Sequence, residues 1–168
     1  MIEIVPYDAR WSRLFAEERA ALLEILAPWL AGPIEHIGST AVIGLAAKPV
    51  IDIMAGVTSL EASRAAIGAV APLGYLYAPY RTEVMHWLCK PDPEVRTHHL
   101  HLVPFASALW GERLAFRDRL RADRALALEY EALKRRLAAE HALDREAYTE
   151  GKAAFVERVL RDTKASRP

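Results

Sequence analysis

The chain has 168 residues, 52% hydrophobic and 26% charged, with 22 basic side chains balanced by 22 acidic ones. That length and composition suit one folded domain with a sizeable core and exclude intrinsic disorder; the zero balance excludes bulk attraction to nucleic acid or to an anionic membrane. A single cysteine, Cys89, excludes an internal disulfide framework and a Cys-rich zinc site and fits a reducing compartment.

The opening residues lack a basic segment followed by an apolar run, and Pro and Gly break every uncharged stretch, so the expectation is a cytoplasmic protein with no signal peptide and no membrane span. Charge is unevenly placed: residues 1–104 carry a net −3 and residues 105–168 a net +3. A basic C-terminal part either docks on the acidic part, lines one wall of an anion site, or is a solvated face of mixed charge.

Trp11 to Leu30 reads as a helix, with Leu14, Phe15, Leu22, Ile25, Leu26 and Trp29 at three- and four-residue steps. Ser12 is its expected cap, Pro28 should loosen its last turn, and Gly32-Pro33 reads as a stop. Ile34 to Ile37 alternates as a half-buried strand does, and Val50 to Met54 is a β-rich run bounded by Pro49 and Gly56. Leu60 to Leu73 looks helical, with Gly74 as its stop. Val84 to Cys89 and His99 to Val103 are strand candidates separated by the Lys90-Pro91-Asp92-Pro93 turn. Ala108 to Arg121, Arg124 to Glu140 and Asp144 to Arg161 are helix-forming and free of internal Pro. This order indicates an α+β fold: residues 1–104 form a small sheet with helices, and residues 105–168 form a helical part packed on or beside it.

The informative segment is His36-Ile37-Gly38-Ser39-Thr40 followed by Lys48-Pro49-Val50-Ile51-Asp52-Ile53. A Gly after a strand lets the backbone turn sharply and approach a ligand, and the Ser39 and Thr40 hydroxyls beside free N–H groups are the materials of a phosphate cradle. Gly-Ser-Thr is also what a plain turn looks like. Asp52 interrupts an apolar strand, so it faces a metal, a base, a helix N-terminus or solvent, and Lys48 offers a cation within reach of a phosphate. In Thr97-His98-His99-Leu100-His101, His99 and His101 project from one strand face and His98 from the other. Imidazoles suit transition metals and acid–base work, and they also occur as satisfied core residues. His36 either joins that pair or caps its own strand. Tyr130 and Lys134 are four residues apart, as are Tyr148 and Lys152, so each pair shares a helix face and can bind phosphate or simply pack. Arg96, Arg81 and Arg117 are weaker candidates for an anion clamp.

The segments Glu35-His36-Ile37-Gly38-Ser39-Thr40 and Gly44 to Ile53, with Arg117-Asp118, Tyr130-x-x-x-Lys134 and Tyr148-x-x-x-Lys152, resemble the GrpB family from Tyr7-x-x-x-Trp11 to about Leu160. That family looks like a branch of the nucleotidyltransferase superfamily, related to DNA polymerase β and kanamycin nucleotidyltransferase. In some bacteria a GrpB-like domain is fused to dephospho-CoA kinase. The resemblance implies a small mixed sheet flanked by helices, with a nucleotide or another phosphorylated small molecule as ligand and nucleotidyl transfer as the reaction. The alternative is a non-catalytic nucleotide-binding or accessory module.

Residue by residue, Gly38-Ser39 and Asp52 match the superfamily pattern. The second carboxylate, expected two residues after the first, is replaced by Met54 on the same strand face, and Met cannot hold Mg²⁺. The expected site is then Asp52, His99 and His101 for catalysis, with Asp52 and His101 as metal ligands. Gly38, Ser39, Thr40, Lys48, Arg96, Tyr130, Lys134, Tyr148 and Lys152 would hold the ligand. The expected cofactor is a divalent ion, with Mn²⁺, Mg²⁺ and Zn²⁺ as candidates and the imidazoles favouring a transition metal.

Overall fold

The computed structural model describes residues 1–165. It is an α+β fold, a five-stranded mixed sheet flanked by helices. The strands are β1 (Leu30–Ile37), β2 (Ile51–Val57), β3 (Leu76–Tyr77), β4 (His86–Pro91) and β5 (Arg96–Pro104), in the order β1-β2-β5-β4-β3. β2 and β5 run parallel, and the other neighbouring strands run antiparallel. The helices are α1 (Arg10–Leu26), a short α2 (Ala66–Ala69), α3 (Ala108–Ala122), α4 (Arg124–Glu140), α5 (Arg145–Glu150) and α6 (Ala153–Ala165).

Strand periodicity gives the sheet two different faces. Ile51, Ile53, Ala55 and Val57 of β2 and Leu100 and Leu102 of β5 bury themselves with Trp11, Leu22 and Leu26 of α1 and with Ala66 and Val70. The alternate residues, Met54 and Val103, pack with Ile37, Trp87 and Cys89 under Leu109 and Trp110 of α3. A third apolar cluster joins Val42 and Leu45 of the loop after β1 to Leu120, Tyr130, Phe155 and Val159. The helical part is thereby fixed to the loop that precedes β2.

Several local expectations are corrected. Gly32-Pro33 lies inside β1 instead of stopping a helix. β1 is an edge strand with a register shift between Leu30 and Ile34, where Pro is tolerated. Gly32 is required there because a Cβ would lie 2.1 Å from the Phe105 ring. Ser12 does not cap α1; the Asp8 carboxylate accepts the Arg10 N–H at 2.9 Å. The last residues of the expected first helix form a separate 3-10 turn, Ala27–Trp29, around Pro28. Residues 60–73 hold only turns, α2 and a 3-10 turn, although Gly74 ends them at φ 86° as expected. The last expected helix is two, α5 and α6, separated at Gly151.

The basic C-terminal part docks inward. Arg117 pairs with Glu35 at 2.7 Å, Arg121 donates to the Ala41 carbonyl at 2.9 Å, and Arg124 donates to the Gly44 carbonyl at 3.2 Å. Lys134 donates to the Ala46 carbonyl, and Glu131 accepts the Ala46 N–H at 3.0 Å. The loop has one bridge, Ala47 with Val5, and charged side chains of α3 and α4 satisfy several of its remaining backbone groups.

Candidate functional site

The parallel register sets Asp52 beside His99 and Met54 beside His101. All four point to the α3 face of the sheet. Asp52 Oδ1 lies 2.8 Å from His99 Nδ1 and 3.5 Å from His101 Nε2; the second distance lacks hydrogen-bond alignment. One ligand atom from each of the three residues lies within 4.8 Å of the other two. Ligands about 2.0–2.1 Å from one ion lie roughly 3 Å from each other, so a small inward movement of the side chains would bring the three onto one ion. His99 Nε2 and both ring nitrogens of His101 are buried with no hydrogen-bond partner. Buried polar atoms of that kind are rare in a satisfied core.

Burial disfavours a charged Asp52, yet the two imidazoles beside it hold its carboxyl well below the usual carboxylate range. Burial pulls His101 down to about 4 despite its nearness to Asp52, so the imidazole is neutral at pH 7 with a lone pair to offer. Asp52 keeps 27% of its side chain exposed while His101 keeps 7%, so the carboxylate marks the open end of the cluster. A carboxylate with two imidazoles is a donor set suited to Mn²⁺, Fe²⁺ or Zn²⁺, and Met54, fully buried among apolar neighbours, adds no ligand.

Gly38 forms the adjacent wall. Its φ is 71°, and a Cβ there would lie 2.5 Å from Asp52 Oδ2, so the backbone comes as near the carboxylate as glycine permits. Ser39 opens the 3-10 turn Ser39–Ala41, close to the Tyr130 hydroxyl. Burial, with help from the Asp52 charge, raises both Tyr130 and Tyr148, leaving two neutral phenols near the carboxylate. Lys152 Nζ lies 4.4 Å from the centre of the Tyr148 ring. Burial, with Lys48 and Arg113 nearby, brings Lys152 down to about 8 against the pull of Asp52. Burial likewise lowers Lys48, which feels Arg145 and Arg96 as well as Asp52. Arg96 stacks on Trp87 at 5.0 Å, and Trp87 leans on His99 at 4.9 Å.

Two expected site residues, and His36, lie elsewhere. The Thr40 hydroxyl donates to the Val50 carbonyl at 3.0 Å and meets His36 Nε2 at 3.0 Å, so it braces the turn and does not face the cleft. Lys134 is 2% exposed, bound to Ala46 under the Tyr130 ring, and burial brings it down to about 7. His36 pairs with Ile53 across the ladder and stacks on Phe15 at 4.6 Å, on the α1 face, away from His99 and His101. Among the weaker candidates, Arg117 is bound to Glu35, Asp118 and the His36 carbonyl, and Arg81 lies 4.0 Å from Glu83.

Two site residues escape the sequence reading. Trp87 was only one more apolar strand residue. Arg113 stands three residues after Trp110 and four before Arg117, on the buried stripe of α3; a cation on such a stripe is a legible signal.

The family model for GrpB protein matches residues 1–162. The chain belongs to the GrpB family. It is 34% identical to the glutamate-rich protein GrpB of Alkalihalophilus pseudofirmus over 95% of this chain and 94% of that one. It is 40% identical to a UPF0157 protein of Deinococcus radiodurans over 94% of this chain and 79% of the relative. The crystal structure of conserved protein GrpB from Enterococcus faecalis superposes with a TM-score of 0.85 at 34% identity, covering 96% of each chain. Among the described residues, no helix is long and apolar enough to cross a membrane.

Proposed function

We propose that this GrpB protein binds a nucleotide or another phosphorylated small molecule in the cleft over Asp52 and transfers a nucleotidyl group. The observation that carries this reading is the Asp52–His99–His101 cluster, whose buried ring nitrogens have no partner within the fold. A divalent ion held by Asp52, His99 and His101 would supply charge to a bound phosphate. Gly38 and Ser39 form the backbone wall, Lys48, Lys152 and Arg96 bring positive charge, and Tyr130 and Tyr148 present neutral hydroxyls. Asp52, kept ionised, orients His99 through its Nδ1. The cytoplasm, with its phosphorylated metabolites, is the compartment this reading requires.

A second reading, a binding or accessory module without catalysis, is favoured by Met54, which fills the place of a second carboxylate with a fully buried apolar side chain. Calorimetric titration of nucleotides into wild type and Asp52→Asn, with and without Mn²⁺, separates the two. Transfer predicts that Mn²⁺ tightens nucleotide binding in wild type and has no effect in Asp52→Asn. Metal-independent binding that survives the substitution would establish the accessory module instead.

A further inference from the structure

Trp110 of α3 packs with Met54, while Arg117, two turns on, bonds to Glu35 and to the His36 carbonyl at the end of β1. Arg113 lies between them on the same helix stripe, and Asp52 lies between those two anchor points on the sheet, paired with Ile37 on one side and His99 on the other. The helix therefore hangs the Arg113 guanidinium over the cleft. Its electrostatic neighbours are Asp52, Arg81, Tyr80 and Tyr130, and among the described residues it makes no hydrogen bond and no ion pair. Its nitrogens are open to solvent, so an entering anion can reach the guanidinium fork and replace that water with charge-assisted hydrogen bonds.

The charge count extends the point. Lys48 and Lys152 also feel Asp52 without pairing to it, and neither makes a side-chain ion pair among the described residues. Three cations face one carboxylate, beside the phenols of Tyr130 and Tyr148. A fold seldom gathers unpaired cations around a cleft, because their repulsion in a low-dielectric site opposes folding. A neutral sugar or a zwitterion would not balance them. A ligand with more than one negative charge does, and a planar guanidinium fork fits phosphate oxygens in pairs.

Resting on the reading above, we infer that Arg113 is the principal anion-binding residue of the cleft, acting with Lys48 and Lys152, and that the ligand is a phosphate ester or polyphosphate with more than one negative charge. The test titrates inorganic pyrophosphate, with acetate and glucose as controls, into wild type, Arg113→Met and Arg113→Lys, with and without Mn²⁺. Mn²⁺ uptake is followed separately by the electron spin resonance of the free ion. Wild type should take pyrophosphate at least tenfold more tightly than acetate and should not take glucose. Arg113→Met should lose at least tenfold in pyrophosphate affinity while binding Mn²⁺ as well or better, and Arg113→Lys should recover part of the loss. Arg113→Met should also melt at a higher temperature, because it removes an unpaired charge. Pyrophosphate affinity within twofold of wild type in Arg113→Met overturns the inference while leaving the proposed ligand class intact. Mn²⁺ uptake without any pyrophosphate binding overturns the polyanion while leaving the metal site. Arg113-dependent pyrophosphate binding without Mn²⁺ uptake upholds the inference and removes the metal from the proposed function.

Discussion

Strands β2 and β5 turn one set of residues toward α1 and the alternate set toward α3, and the two sets could hardly differ more. Ile51, Ile53, Ala55, Val57, Leu100 and Leu102 are at most 2% exposed and pack into one apolar cluster with α1. Asp52, His99 and His101, interleaved with them, hold a carboxylate and three partnerless ring nitrogens beside unpaired cations. The apolar face gains stability from transfer out of water at roughly 25 cal/mol per Å². The polar face gives stability up, since buried polar atoms without partners cost about 1–3 kcal/mol each. One sheet thus separates the apolar face that holds the fold from the face that carries the proposed ligand site, by the two-residue strand period alone.

The comparison breaks if the apolar face proves tolerant. Ile53→Ala, at a fully buried position, should cost about 3 kcal/mol in urea unfolding, because the cavity cannot close between two strands and α1. A loss below about 1 kcal/mol would mean that this face is not the stabilising one.

His36 sharpens the comparison, since it is a buried titratable group on the apolar side. Burial lowers it to about 4, so between pH 6.5 and about 4 the unfolded chain takes up a proton that the folded chain refuses. Its contribution is therefore fully present above pH 6.5 and is lost as pH falls, by up to about 3 kcal/mol near pH 4. In urea titrations at several pH values, His36→Gln should lose stability less steeply than wild type over that window; parallel slopes would place the acid sensitivity elsewhere.

Gly38→Ala comes next, at the junction of the two faces. The left-handed backbone and the 2.5 Å approach to Asp52 Oδ2 should together cost about 2 kcal/mol. The carboxylate should also be displaced, so Mn²⁺ uptake should fall further than stability does. An alanine variant that keeps full Mn²⁺ affinity would show that the close approach is incidental.

The smallest effects belong to the polar face itself. Asp52→Asn should change unfolding free energy by only about 1 kcal/mol, because the lost counter-charge to Lys48, Lys152 and Arg113 is offset by relief of a buried carboxylate. Its metal uptake should vanish all the same. A large stability loss with metal uptake retained would reverse the assignment of the two faces.

How much of this was legible depends on the range of the forces involved. Helix α4 (Arg124–Glu140) coincides with its expected bounds because its Ala, Leu, Glu and Arg content and its Asp123 cap are local properties. Alternation put Ile51 and Ile53 opposite Asp52, and His99 with His101, because strand parity is also local. Gly32-Pro33 was misread because the signs that stop a helix are also tolerated on an edge strand, and edge position is a property of the whole sheet. β3 went unnoticed because a two-residue strand exists only through its pairing with β4.

The sequence by itself determined the α+β class, the family, and the residue types capable of chemistry at Gly38, Ser39, Asp52, His99 and His101. Only the tertiary structure decided which of them meet. The parallel pairing of β2 with β5 sets Asp52 next to His99 across 47 positions of chain. The docking of α3 and α4 commits Lys134 and Arg117 to backbone and carboxylate partners, while Arg113 of α3 and Lys152, in the turn between α5 and α6, make no ion pair among the described residues. Two lysines with the same Tyr-x-x-x-Lys spacing part company for that reason: spacing brings each cation near its tyrosine ring, and the neighbouring loop fixes whether a carbonyl is there to bind it.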